Sequence, residues 1–245
     1  MTFRFDEKEH AYFLDDKPLH GVTSILSVIA KPMLIQWSAN MAVDYIQNAL
    51  AEVQNVADKT WEEVMKPLDL DKVFKEARIA HRLKKEKAGE LGTGVHKLIE
   101  TLCNEAIQAN GGLLKPDTKS DNAQVQKFID WALEKNVRFI ESEKMVYSRE
   151  SWYAGTFDLI LEIDGKKYIA DIKTSSGIYP EAYLQMAAYQ NALAEMGEHE
   201  DIQGAAVINL DKKGGFQVGM NYDYEGNRLA FLGALTLHKQ LRAIK

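Results

Sequence analysis

Two apolar runs separated by an Asp-Gly pair constrain the fold of this chain more than any other feature. The first run covers residues 153–163 (YAGTFDLILEI) and the second covers residues 166–174 (KKYIADIKT), with Asp164 and Gly165 between them. Asp-Gly between two such runs is typical of the tight turn of a β-hairpin. The sequence therefore predicts two adjacent antiparallel strands in this part of the chain.

Both predicted strands carry a carboxylate among apolar neighbours. Asp158 and Asp171 lie thirteen residues apart, and Lys173 follows two places after the second. Because side chains alternate along a strand, Asp171 and Lys173 should share one face, and Asp158 should meet them across the hairpin. An ionised carboxylate in a buried strand is costly without a cation or strong donors, although a strand-end aspartate paired with an arginine is the alternative.

Two neighbouring carboxylates and an ammonium group have a specific chemical use. The carboxylates repel each other unless they share a metal ion. Carboxylate oxygens hold hard divalent cations, and a lysine beside them can stabilise charge or orient an attacking water. Asp158, Asp171 and Lys173 therefore indicate metal-dependent hydrolysis of a phosphodiester.

The remaining chain is predicted to place most helices before the strands. The expected elements are a hairpin over 2–14, a helix after Val22 capped by Thr23 or Ser24, helices over 32–57, 71–87, 95–109, 121–135, 180–196 and 228–244, a short helix capped by Thr60 with Glu63, and strands from Lys144 and over 205–210 and 216–220. Gly89, Gly92 and Gly94 are expected to interrupt the helices. We expect one α/β domain over 1–245, with a mainly helical N-terminal region (1–90) and a catalytic core (91–245).

Composition excludes several classes of protein. The only cysteine, Cys103, excludes a disulfide framework, a cysteine zinc site and a four-cysteine iron–sulfur cluster. No apolar run reaches the ~18 residues of a membrane span, and the acidic N-terminus does not resemble a signal or transit peptide. We therefore expect a cytoplasmic protein, bacterial or encoded by a phage, that does not enter a membrane.

The charge balance bears on possible partners. The chain has 30 Lys and Arg against 36 Asp and Glu, a net charge of -6, which counts against a protein that coats duplex DNA. The richest basic stretch, residues 72–87, is either a solvated helix face or a surface that faces nucleic acid. A narrow basic passage agrees better with this balance than a broad basic face.

The acidic motifs resemble those of a known family. Gly155-Thr-Phe-Asp158 followed by Asp171-Ile-Lys173-Thr174 is similar to the PD-(D/E)XK nuclease superfamily, and within it to the RecB-like branch, although the proline usually found before the first acid is absent. The N-terminal segments resemble the exonucleases of phages and of mitochondrial genome maintenance. The resemblance implies a restriction-endonuclease-like core, in which helices flank a central mixed β-sheet. Cas4-like members carry four cluster-binding cysteines, which this chain lacks.

The resemblance also implies roles for residues outside the hairpin. His96, in Gly92-Thr-Gly94-Val-His96, matches a histidine that binds metal, and Gln185 and Tyr189 match a helix that shapes the site. The implied ligands of Mg²⁺ or Mn²⁺ are His96, Asp158, Asp171 and the backbone carbonyl of Ile172. An imidazole shifts the preference towards Mn²⁺. Glu100, one turn after His96, would either orient the imidazole or lie on the surface.

Substrate contacts are expected next to the carboxylates. Thr174 and Ser175 follow the second strand and could donate to a phosphate. Trp152 and Tyr153 lie at the turn that leads to Asp158, where an aromatic ring could contact a base. The other tryptophans are predicted to pack in the core: Trp37, Trp61 and Trp131.

The expected function is that of a divalent-metal-dependent DNA exonuclease acting at single-stranded ends. An endonuclease of the same superfamily that cuts flaps or junctions is a second hypothesis. A non-catalytic DNA-binding subunit with this fold is a third, because fold alone never proves activity. The presence of every motif residue favours the enzymes.

Overall fold

The computed structural model describes residues 2–51, 60 and 69–243. Within it the chain forms two compact units, one of Met1–Ile29 with Gly94–Lys245 and the other of Ala30–Thr93. The predicted cap partner Glu63, the residue Trp61 and the predicted helix end at Ala57 lie outside the described residues.

Nine strands and six helices lie in the described ranges. The strands are β1 (Phe3–Asp6), β2 (Ala11–Leu14), β3 (Lys17–Pro18), β4 (His20–Gly21), β5 (Arg138–Ser148), β6 (Tyr153–Ile163), β7 (Lys166–Lys173), β8 (Gly204–Leu210) and β9 (Phe216–Asn221). The helices are α1 (Val22–Leu26), α2 (Pro32–Ala51), α3 (Leu70–Ala109), α4 (Ala123–Glu134), α5 (Glu181–Glu195) and α6 (Tyr224–Ala243). The protein is therefore mixed α/β, as the sequence predicts.

The strands form two sheets. A small antiparallel sheet has the order β1-β2-β3, and the main sheet has the order β4-β6-β7-β8-β9, with β5 also paired to β6. The hairpin of β6 and β7 turns at Asp164-Gly165, where both residues have positive φ, as predicted. Strand β8 lies parallel to β7, and α5 forms the crossover between them.

Apolar side chains cover both faces of the main sheet. In β7 the residues Tyr168, Ala170 and Ile172 belong to a core cluster that includes residues of α3 and α4. Ile169 belongs to a second cluster, with residues of α1, α5 and α6. Alternation along β7 therefore places Asp171 and Lys173 on the same face as Ile169.

Helix α3 corrects the prediction of a break at the glycines. It runs without interruption from Leu70 to Ala109, through Gly89, Gly92 and Gly94. Each glycine costs about 1 kcal/mol relative to alanine. A break would expose four N–H and four C=O groups at new helix ends, which outweighs that cost. The predicted stop is confirmed, since Gly111 and Gly112 after the helix both have positive φ.

Two other boundaries differ from the prediction. Gly21 is the N-cap of α1 and no side chain completes the cap, so neither Thr23 nor Ser24 has the predicted role. Strand β5 begins at Arg138 rather than near Lys144. Charged residues and an irregular register between Phe139 and Glu141 obscure the alternation in this part of the strand.

None of the helices in the described ranges is long and apolar enough to cross a bilayer.

Candidate metal centre

The main sheet opens beside Asp158. Strand β5 runs along one edge of β6, so β4 and β7 share the other edge. On that edge β4 pairs with β6 up to Ala154, and β7 pairs with β6 from Leu159 onwards. Between these two points, no strand in the described part of the chain pairs with this edge of β6. The Ile172 N–H donates instead to Asp158 Oδ2, over 2.7 Å. A carboxylate thus replaces the backbone ladder at this position.

Asp171 and Lys173 form a close ion pair on one face of β7. Lys173 Nζ lies 2.6 Å from Oδ1 and 2.5 Å from Oδ2 of Asp171. The Asp171 side chain is only 3 % exposed. Its Oδ2 is buried and accepts no hydrogen bond of good geometry from any described residue. An oxygen of this kind is a suitable ligand for a cation.

His96 reaches the same point from α3. Its Nδ1 lies 3.7 Å from Asp158 Oδ2, and its side chain is 31 % exposed. Val95 and Ile99, on either side of it, are buried and fix this part of the helix against the sheet. Burial, followed by the positive charge of Lys173, lowers the pKa of His96. The imidazole is therefore neutral at pH 7, the state in which histidine binds metals.

A third carboxylate, Glu143, belongs to the same group and is missing from the sequence prediction. Ligand atoms of His96, Glu143 and Asp158 all lie within 4.8 Å of one another. Glu143 sits opposite Asp158, since Ser142 pairs with Leu159 and Lys144 with Phe157. Its φ of 49° is in the left-handed region, which is unfavourable for glutamate and recurs at functional sites. A prediction that started β5 before Lys144 and paired it with β6 would have placed Glu143 opposite Asp158.

The three carboxylates hold their protons unusually strongly. Burial, opposed by Lys173 and reinforced by Asp158, raises the pKa of Asp171 to about 6. Burial also raises the pKa of Asp158. Glu143 is exposed overall, but partial burial of its carboxyl group and the charges of Asp158, Glu100 and Asp171 raise its pKa to about 7. One lysine does not neutralise this group, so its negative charge favours a cation.

The donor set fits a hard divalent cation. It combines the oxygens of Asp158 and Glu143 with the neutral imidazole of His96, and the Asp171 carboxylate lies close to them. The Ile172 backbone carbonyl accepts a hydrogen bond from that imidazole. Oxygen ligands with one imidazole suit Mn²⁺ and Mg²⁺. All four predicted ligands therefore lie close together: His96, Asp158, Asp171 and Ile172.

Tyr189 and Gln185 lie behind the carboxylates on α5. The Gln185 amide donates to the Tyr189 hydroxyl over 3.1 Å, and Tyr189 is buried. Burial raises the pKa of Tyr189, and the charges of Asp171 and Asp158 raise it further. A Cβ at Gly155 would lie 2.5 Å from a ring carbon of Tyr189, so only glycine fits there. Gly155 thus allows the aromatic ring to pack against the strand that carries Asp158.

The predicted substrate residues separate into two groups. Thr174 and Ser175 are half-buried just after Lys173, and the Ser175 hydroxyl donates to the Gly177 carbonyl. Tyr153 is fully buried, and its hydroxyl donates to the Ala188 carbonyl. Trp152 Nε1 donates to the Pro18 carbonyl at the far end of β6. The contacts of Tyr153 and Trp152 are internal, which does not support their predicted role in substrate binding.

A second group of acidic residues and a histidine is held together by ion pairs within the protein. Lys144 forms ion pairs with both Glu141 and Glu198, and His199 Nε2 lies 2.8 Å from Glu141 Oε2. This group has one lysine for two carboxylates, whereas the group around Asp158 has one lysine for three. It therefore has a structural explanation.

Comparison with known proteins adds little to this geometry. No family model matches the sequence, and no match was found among curated proteins. One solved structure, described as the crystal structure of SSO0001, aligns with 80 % of this chain and 84 % of its own. The identity is 13 % and the TM-score is 0.34, a similarity too low to support an argument about fold or function.

Proposed function

We propose that the chain is a divalent-metal-dependent deoxyribonuclease that hydrolyses phosphodiester bonds at the centre formed by His96, Asp158, Asp171 and Lys173. The observation that carries this proposal is the group of His96, Glu143 and Asp158, whose ligand atoms lie within 4.8 Å of one another, beside the ion pair of Asp171 with the half-buried Lys173. The resemblance of the motifs to RecB-like nucleases supports the same reaction. A restriction-endonuclease-like core, with the sheet opening at β6 and β7, belongs to this proposal.

Mg²⁺ or Mn²⁺ would be held by Asp158, Asp171, His96 and the backbone carbonyl of Ile172, with Glu143 as an additional oxygen donor. When bound, the cation would act as a Lewis acid on a phosphoryl oxygen and lower the pKa of water. Asp158 keeps its position through the Ile172 N–H. Its second oxygen would then be available to hold the cation.

Lys173 has the role of an electrostatic catalyst. Burial lowers the pKa of Lys173, but Asp171 and Asp158 raise it by more, so the ammonium stays charged at neutral pH. It would orient the attacking water and stabilise the negative charge that develops on the phosphate. Water adds to phosphorus, the P–O bond to one sugar breaks, and the leaving oxygen takes a proton. Tyr189 and Gln185 would keep the sheet and α5 in register around these groups.

The proposed substrate is DNA with a free single-stranded end. Thr174 lies next to Lys173 and would donate to a flanking phosphate, and Ser175 would do so once its hydroxyl leaves the Gly177 carbonyl. Exposed basic side chains of α3, among them Lys75, Arg78, Arg82 and Lys85, supply positive charge on the helical unit despite the acidic total. A flap- or junction-cutting endonuclease with the same centre is the second candidate.

The test uses end-labelled single- and double-stranded DNA, with free or blocked ends, and a circular single strand. Each is incubated with the protein and Mg²⁺, Mn²⁺ or EDTA. The proposal predicts that linear single strands are degraded with either metal and that EDTA stops the reaction. Cleavage of the circle would replace the exonuclease by the endonuclease candidate. The absence of cleavage of every DNA would reject both.

A further inference from the structure

A second candidate site lies between α1 and the last turns of α6. A cavity of about 660 Å³ opens there, and its walls carry three hydroxyls and two basic side chains: Thr23, Ser24, Ser27, Val28, His238, Leu241 and Arg242. Strand β4, which leads into α1, pairs with β6 at Tyr153. Asp158 is five residues further along β6, about 17 Å at the usual rise of a strand. The cavity is therefore separate from the candidate metal centre.

His238 borders this cavity as a buried polar group without a partner. The residue is 5 % exposed, and its Nε2 is buried with no hydrogen bond to any described residue. Its ring lies 5.1 Å from the ring of His20, edge to face. Buried polar atoms are almost always satisfied in folded proteins, so the unpaired imidazole nitrogen beneath this wall marks the cavity as a place where the contacts within the protein are incomplete.

Of the three hydroxyls of the cavity, that of Ser27 donates to the Ser24 carbonyl over 2.6 Å. In the described ranges the hydroxyls of Thr23 and Ser24 form no hydrogen bond, and they do not cap α1. Arg242 forms no ion pair within those same ranges. Lys239, next to His238, donates to the Ser151 carbonyl and adds a further positive charge nearby. Arg242 therefore offers an unpaired positive charge beside two unpaired hydroxyls.

We propose that this cavity binds a phosphate group, with Arg242 as the charged contact, Thr23 and Ser24 as hydroxyl donors, and His238 at the buried wall. Guanidinium and hydroxyl groups are the common partners of phosphate oxygens in proteins. The phosphate belongs either to a nucleic-acid strand or to a small phosphate monoester. This site does not depend on the proposed nuclease activity.

Arg242 also has a purely structural use that the test must separate from binding. It lies in the last turn of α6, where a positive charge stabilises the helix dipole. Loss of that effect would lower stability in every variant of Arg242. It would not change the response of His238 to added phosphate.

The experiment follows the histidine side-chain NMR signals of the full-length protein without metal, so that no substrate is consumed. The additions are inorganic phosphate, deoxyadenosine 5′-monophosphate and a short thymidine oligonucleotide without terminal phosphates. We expect a saturable shift of the His238 signal, at least tenfold weaker binding in Arg242→Gln and several-fold weaker binding in Ser24→Ala. Arg149→Gln, which changes another exposed arginine, should bind like the wild type.

The three additions separate the two sources of phosphate. Saturation by the oligonucleotide at the lowest concentration identifies a strand phosphate, and saturation by the monophosphate or inorganic phosphate alone identifies a small ligand. The proposal is overturned if no addition shifts His238 in a saturable manner. It is also overturned if Arg242→Gln and Arg149→Gln weaken binding equally, since that indicates general charge attraction. Ser24→Ala changes an exposed hydroxyl and provides the same test if Arg242→Gln does not fold.

Discussion

The Ile172 backbone N–H donates to Asp158 Oδ2 over 2.7 Å at the position where β6 and β7 cease to pair. The Asp158 carboxylate therefore binds the backbone N–H that the opening of the sheet leaves free. At the same opening His96 Nδ1 lies 3.7 Å from Asp158 Oδ2, and Lys173 Nζ lies 2.5 Å from Asp171 Oδ2.

Replacing Glu143 by glutamine should weaken Mn²⁺ binding and stabilise the metal-free protein. In the proposed centre the carboxylate would contribute a ligand oxygen, so we expect a loss of affinity of roughly 10- to 100-fold by isothermal titration calorimetry. Without metal, the substitution removes repulsion with Asp158, and the melting temperature should rise by about 2–4 °C. Glu150→Gln, an exposed glutamate beyond β5, is the control and should change neither quantity. Unchanged Mn²⁺ affinity in Glu143→Gln would exclude it from the site.

The sequence predicts Asp158, Asp171 and Lys173 but not Glu143, for a physical reason. The hairpin of β6 and β7 is specified locally, by alternating residues on both sides of an Asp-Gly turn. The position of Glu143 depends on the register between β5 and β6, and its neighbours Glu141 and Lys144 make the segment resemble a solvent-exposed strand. Its left-handed φ results from tertiary structure and has no local signal.

The pH dependence of stability should reverse when metal is added. Raised pKa values, about 6 for Asp171 and about 7 for Glu143, mean that the folded metal-free protein holds protons which the unfolded chain has released. Its stability should therefore fall as the pH rises through this range. Bound Mn²⁺ replaces those protons, so affinity should rise with pH over the same range. Urea denaturation at pH 5 and pH 8, with and without Mn²⁺, measures both effects.

Two variants test whether Asp171 and Glu143, rather than other titrating groups, cause the pH dependence of stability. Asp171→Asn and Glu143→Gln should each flatten the fall in stability of the metal-free protein. The same slope in both variants and the wild type would assign the titration to other groups.

Gly155→Ala should destabilise the protein through Tyr189. The new methyl group would lie 2.5 Å from a ring carbon of Tyr189, an overpacking that typically costs about 1–3 kcal/mol. Gly177→Ala, where no atom lies within 4 Å of the added carbon, is the matched control. In a Tyr189→Ala background the Gly155→Ala change should cost much less. Additive free energies of unfolding in this double-mutant cycle would contradict the packing explanation.

Tyr153→Phe should reduce stability and leave catalysis intact. The Tyr153 hydroxyl donates to the Ala188 carbonyl and accepts from the Asn191 amide over 3.1 Å, and its loss should cost about 1 kcal/mol. Tyr147→Phe keeps the ring that packs on Phe3 and serves as the control for removal of a hydroxyl. A selective loss of DNA cleavage in Tyr153→Phe at full stability would restore the substrate role that the sequence predicts.

In helix α3 the packing of the whole helix outweighs the local tendency of glycine to end a helix. Gly89, Gly92 and Gly94 predict a break, yet the helix continues because its last part is anchored by Val95, Ile99 and Cys103 in the core. His96 depends on this continuity, since its direction follows from the buried residues on either side. The sequence identifies His96 as a candidate ligand. Its distance to Asp158 depends on how the helix packs against the sheet.

The most direct measurement compares the wild type with Lys173→Met in one assay of Mn²⁺ binding and of cleavage of an end-labelled single DNA strand. The methionine keeps most of the volume of the lysine and leaves His96, Asp158 and Asp171 in place. We predict that Lys173→Met binds Mn²⁺ at least as well as the wild type and cleaves at least ~100-fold more slowly, because only the electrostatic catalyst is lost. Equal cleavage by the two proteins, or no cleavage by the wild type, would contradict the proposed function.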